Sequence, residues 1–118
     1  YITHEVVDYV KNRPDVLSGE RRGNTIYHTK IPYMVQEFLD ASDERMKRYY
    51  ACHCAWARES ILDDDVDVSA DFCHCSGGFT KQPWEAALDQ PLEYDMVKSV
   101  LKGDDECSFV IYLPDDVK

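Results

Sequence analysis

The 118-residue sequence predicts an α+β domain: a mostly antiparallel sheet of about four strands, with helices packed on one face. Three observations carry that reading. Some segments space their apolar residues as a helix does, while others alternate or are rich in β-branched and aromatic residues. The last two strand-like segments are joined by the short turn "KGDD" (102–105), which makes them antiparallel neighbours. Length and a hydrophobic content of 44% fit one domain over 1–118, with no repeat of domain size. A start at Tyr1 rather than Met reads as a chain that lacks its beginning.

The elements follow in order. "THEVVDYVKN" (3–12) places Val6, Val7 and Val10 at helical spacing behind Thr3 as a cap, and Arg13-Pro14 ends it. "SGERRGN" (18–24) reads as a loop and "TIYHTKI" (25–31) as a strand. Pro32 suits the first turn of a helix whose stripe is Met34, Val35, Phe38 and Leu39, ending near Ser42. "ERMKRYYACHCAW" (44–56) alternates and is expected to be a strand, with Met46, Tyr50, Cys52 and Cys54 on one face and His53 on the other.

"ARESIL" (57–62) is a short helix. "DDDVDVSAD" (63–71) is an acidic loop that lacks the glycine turn and closing glutamate of a calcium loop. Residues 72–90 should be mostly helical with a break or kink near Pro83. Strands are expected at 91–101 and 106–113, the latter with Cys107, Phe109, Ile111 and Leu113 on its buried face.

Charge narrows the function. Thirteen Lys and Arg against twenty-three Asp and Glu give a net charge of −10, which repels phosphate backbones and anionic membranes. No run approaches the ~18 apolar residues of a membrane span. Five cysteines cannot all pair within the chain, and thiols or a metal in a reducing cytoplasm fit better than a disulfide scaffold.

Four of the five cysteines form two Cys-His-Cys triplets, Cys52-His53-Cys54 and Cys73-His74-Cys75. Thiolates are good zinc ligands, and four close a structural tetrahedral site. One intervening residue is shorter than the usual zinc spacing. On a strand it puts two sulfurs about 6.6–7 Å apart by strand rise, against ~3.8 Å on one zinc. On a helix, i and i+2 do not share a face, so Cys75 need not follow Cys73. The candidate metal ligands are therefore Cys52, Cys54, Cys73, Cys75 and Cys107, at least one of them spare. The same residues also admit buried thiols, a disulfide, or a thiol nucleophile whose base comes from the other triplet. Nearby, Arg58 is a candidate clamp for a carboxylate ligand, and Trp56, Phe79 and Trp84 are candidate walls of an apolar pocket.

"CHCSGGFTKQPWEAALDQPLEYDMVKSVLKGDDECSFVIYL" (73–113) resembles the 4-vinyl reductase domain, a small-molecule-binding module, and with "CHCAWARES" a bacterial branch related to it. The resemblance rests on Cys73 opening a glycine-containing helix, the Gly103-Asp104 turn, and Cys107 and Phe109 opening the last strand. It implies an antiparallel sheet with helices framing a pocket, a small-molecule ligand, a homodimer, and in zinc-bearing members a four-ligand site. Two of those four positions fall here on Met96 and Ser99, which are not zinc ligands. Either Cys52, Cys54 or Cys75 replaces them or the metal is lost. The functional expectation is a domain that binds or senses a hydrophobic or carboxylate ligand, with a structural zinc site. A thiol- or metal-dependent hydrolase and a cysteine redox sensor are the alternatives.

Overall fold

The computed structural model describes residues 2–65 and 68–116; Val66 and Asp67 of the acidic loop lie outside the described residues. Its sheet contains β1 (Glu20–Arg22), β2 (Thr25–Thr29), β3 (Glu93–Lys98) and β4 (Ser108–Tyr112) in the order β1-β2-β4-β3, every neighbouring pair antiparallel. The chain is thus α+β with a four-stranded antiparallel open sheet, as the sequence predicts. Ile26 lies opposite Ile111, His28 opposite Phe109, and Tyr94 opposite Ile111. Strand alternation therefore gathers Ile26, Tyr94, Phe109 and Ile111 on one face, and Phe109 and Ile111 are fully buried.

The helices are α1 (His4–Lys11), α2 (Pro14–Leu17), α3 (Val35–Asp40), α4 (Glu44–Ala51), α5 (Arg58–Leu62) and α6 (His74–Leu88), with 3₁₀ turns at Ala70–Cys73 and Val100–Lys102. Thr3 caps α1 as expected, its hydroxyl accepting from the Val6 N–H at 3.2 Å. Several expectations need correction: α3 starts at Val35, three residues past Pro32, and the strand expected over 91–101 covers only Glu93–Lys98. Residues 44–51 form helix α4, and no strand covers 44–56. Asp43 caps it by accepting from Arg45 N–H, and Met46, Tyr49 and Tyr50 recur at the helical i, i+3, i+4 interval. Residues 20–22, expected in a loop, make the edge strand β1. Pairing with β2 orders them, although their charged sequence carries no alternation. The break at Pro83 is absent, and α6 runs on to Leu88. Pro83 removes one N–H, leaving the Phe79 carbonyl on an exposed stretch where water can serve it.

Two hydrophobic clusters result. One is helical, with Phe38, Ala51, Cys52, Ile61 and Val100. The other belongs to the sheet and α6, with Ile26, Leu92, Ile111 and Leu113 backed by Trp84, Leu88 and Tyr94. Gly77 lets α6 approach the sheet closely: a Cβ there would stand 2.2 Å from the Tyr94 ring. On the other side of β2 and β4, the buried Thr29 and Ser108 hydroxyls meet at 3.0 Å. Thr29 also donates to Asp15 at 2.5 Å. Arg13 grips both oxygens of Asp15 and reaches Glu106 at 2.9 Å, tying α2 to the start of β4. Among the described residues, no helix is long and apolar enough to cross a membrane.

Candidate functional site

The five cysteines come from three separate places in the chain. Cys52 caps the C-terminus of α4, with its thiol packed in the helical cluster, and Cys54 follows in the loop. Cys73 ends the 3₁₀ turn that leads into α6, and Cys75 lies one residue inside the helix. Cys107 immediately precedes β4. Cys52 and Cys73 are buried, Cys54 and Cys107 half-buried, and Cys75 exposed; all five are free thiols. Despite these differences, all five line a single cavity of about 230 Å³. Trp56, Phe72 and Phe79 supply aromatic wall, and Lys30 and Ser76 supply polar groups.

The thiols are not equivalent. The Cys107 thiol neighbours the Cys73 sulfur, and the Ser99 hydroxyl lies 2.9 Å from the same sulfur. These contacts hold the Cys73 thiol down, at about 6, against the opposing effect of burial. Cys107 is raised correspondingly, because its proton is engaged by Cys73 and because it is buried. Burial also raises Cys52. Burial lowers the Lys30 ammonium, partly offset by the nearby thiols of Cys107, Cys52 and Cys73. Of the two thiols, Cys73 is thus the one inclined to ionise and Cys107 the one held protonated.

Neither triplet histidine is hydrogen-bonded to a sulfur among the described residues. His53 donates from Nε2 to the Ile31 carbonyl at 2.6 Å, and His74 Nδ1 lies 2.7 Å from the Tyr94 hydroxyl. Among the described residues no three His, Cys, Asp or Glu side chains converge as a metal cage. The thiols share a cavity without closing around a point.

The residues expected to bind a ligand are spread across the molecule. Trp56 and Phe79 line the cysteine cavity and remain 83% and 73% exposed, so they form its rim. Trp84 lines an adjoining cavity of about 340 Å³ that shares Lys30 and Phe79 with the first. Arg58 lines neither. Its guanidinium stacks on the rings of Tyr49 and Tyr33, 4.4 and 5.2 Å from their centroids, and donates to Met34 Sδ. The strand expected to carry Cys52 and Cys54 on one face is absent, so a helix end and a loop position them instead.

Lys30, Ser76 and Phe72 were not anticipated from the sequence. Lys30 had a visible signal: strand alternation puts it on the same face as Ile26 and His28. Its backbone N–H also bonds the Cys107 carbonyl at 2.9 Å, which brings the end of β2 to the cysteines. Comparison with known families, characterised proteins and solved structures finds no match to this chain.

Proposed function

We propose that this chain is a small-molecule-binding domain whose site is the cysteine-lined cavity, and that the thiols there take a thiophilic metal, zinc first. The observation that carries the reading is the convergence of Cys52, Cys54, Cys73, Cys75 and Cys107 on one aromatic-walled cavity from positions up to 55 residues apart, 107 minus 52. A donor set of sulfurs alone suits zinc, and Cys73 is already biased to the thiolate form that a metal requires. Cys73 and Cys107 would be the first two ligands, with Cys52 and Cys54 completing the set and the exposed Cys75 the spare. Zinc, when bound, supplies a cross-link. The chain supplies the rest: Ser99 orients the Cys73 sulfur. Ser99 is also one of the two positions at which the resemblance to the 4-vinyl reductase domain calls for a ligand. Five free thiols fit a cytoplasmic setting, and the exposed Trp56 and Phe79 are the first surface to test for a homodimer.

Cobalt(II) titration tests this reading. Thiolate-to-cobalt charge-transfer absorption should saturate at one equivalent, be displaced by zinc, and disappear in Cys73→Ser and Cys107→Ser but not in Cys75→Ser. Absence of stoichiometric metal in both titrated and freshly purified protein overturns the zinc assignment.

The Cys73–Cys107 contact favours a second reading, a redox sensor. The Cys73 thiolate attacks hydrogen peroxide, leaving a sulfenic acid and releasing hydroxide. The Cys107 thiol then displaces water from that sulfenic acid to form the disulfide. A loss of two titratable thiols under mild peroxide, restored by reductant and absent in Cys107→Ser, distinguishes this outcome.

A further inference from the structure

Lys30 stands where the two cavities meet. It lines the cysteine cavity and also the adjoining one, and Phe79 is the other residue common to both. Beyond them the second cavity is walled by His28 and Trp84. An ammonium group carries three N–H donors. One of those on Lys30 goes to the Ser76 hydroxyl at 3.2 Å. Among the described residues no carboxylate pairs with it, although acidic side chains outnumber basic ones 23 to 13.

The other cations near the sheet are treated differently. Arg13 holds Asp15 and Glu106, and Lys81 holds Glu85. In a chain this acidic, a half-buried lysine with no carboxylate partner among the described residues, flanked by aromatic rings, has the makings of an anion receptor. Desolvation by the aromatic walls strengthens its pull on an incoming anion. The same walls reward an apolar body attached to that anion.

We infer that the joined cavities bind a small aromatic carboxylate, with its carboxylate on Lys30 Nζ and the Ser76 hydroxyl and its ring between Phe79 and Trp84. This rests on the reading of the cavity as a small-molecule site, and it does not depend on a metal. Calorimetric titration with naphthoate, and with naphthalenemethanol as its uncharged counterpart, tests it. The unmodified chain should prefer naphthoate by about tenfold to a hundredfold, the range of a charge-assisted hydrogen bond. Lys30→Met, which keeps the aliphatic stem, should erase that preference by weakening naphthoate far more than naphthalenemethanol, and Lys30→Arg should restore much of it. Equal binding of the two probes, no binding of naphthoate, or a preference that survives in Lys30→Met overturns the inference. The comparison of probes on the unmodified chain needs no variant to fold. Cobalt titration of the same samples reports on the thiols separately: cobalt bound without naphthoate sinks this inference alone, and naphthoate bound without cobalt sinks the zinc assignment alone.

Discussion

Replacing Asp15 by Asn tests how the edge of the fold is held. Asp15 is 7% exposed and accepts from three donors at once: Arg13 Nε at 3.1 Å, Arg13 Nη2 at 3.0 Å, and Thr29 Oγ1 at 2.5 Å. The Arg13 contact, ahead of the Thr29 contact, holds its carboxyl at about 2 against the opposing effect of burial. A carboxyl at about 2 rather than near 3.9 favours the folded state by about 2.5 kcal/mol at neutral pH. The Arg13 side chain is 32% exposed, and solvent screening brings the expectation to about 2 kcal/mol. The sign follows from the lowered value. The contribution is complete above about pH 5 and fades as pH falls toward 2, because below that point the carboxyl is protonated whether the chain is folded or not. Asn keeps the shape but offers one acceptor oxygen in place of two. Urea unfolding followed by far-ultraviolet circular dichroism, from pH 7 down to pH 2, gives both quantities. Asp15→Asn should be less stable by about 2 kcal/mol at pH 7, and the gap should close between pH 5 and 2. A gap under about 0.5 kcal/mol at pH 7, or one that stays constant down to pH 2, refutes the assignment of this carboxylate as a clamp.

Four other outcomes are expected. Phe109→Ala empties a fully buried position facing Tyr94 and should cost ~3–5 kcal/mol in the same unfolding assay. Gly77→Ala drives a methyl group into the Tyr94 ring and should cost ~1–3 kcal/mol, with a changed near-ultraviolet spectrum as that ring moves. In chelator-treated protein, alkylation of Cys73 by iodoacetamide, followed by peptide mass spectrometry, should rise with a midpoint near pH 6. Cys107→Ala removes the donor that holds Cys73 down and should move that midpoint upward.

Where the fold was legible in the sequence, one pattern was compatible with the local residues. Cys107, Phe109, Ile111 and Leu113 alternate with no competing helical interval, and β4 forms with Phe109, Ile111 and Leu113 buried. Thr3 before Val6 and Val10 has no alternating counterpart, and α1 forms behind that cap. The segment at 44–56 satisfied two patterns. Met46, Tyr50, Cys52 and Cys54 alternate, yet Met46 and Tyr50 also stand one helical turn apart, and Tyr49 fits the helix alone. A free Asp43 cap and the helix formers Glu44, Arg45, Lys47 and Arg48 decide between the two patterns. β1 left no local trace, because its order comes from the partner strand. At the candidate site the cysteines themselves were visible. What brings them together was not: the end of α4, the start of α6 and the approach to β4 meet only through tertiary packing. Lys30 gave its alternation signal, but no local feature shows that its ammonium has no carboxylate partner among the described residues.

The two Cys-His-Cys triplets are alike in sequence and unlike in space, and helix geometry accounts for the difference. In the first, Cys52 closes α4 and is drawn inward with Ala51 beside Phe38 and Ile61. The loop that follows then leaves Cys54 half-buried. In the second, residues two apart on a helical path point about 200° apart, so Cys73 turns in toward Ser99 and Cys107 while Cys75 turns out. The resulting cavity lies between the helical cluster, to which Cys52, Cys54 and Cys107 contribute, and the sheet surface carrying Lys30. Cys73, at the turn into α6, and Cys107, just before β4, neighbour each other across that seam. Any bond made between them, through a metal or as a disulfide, would tie the second triplet to the sheet. The histidines sit outside that arrangement, spent on Ile31 and Tyr94. The chemistry of the repeated motif therefore belongs to its sulfurs, and within each triplet chiefly to the sulfur that the end of a helix turns inward.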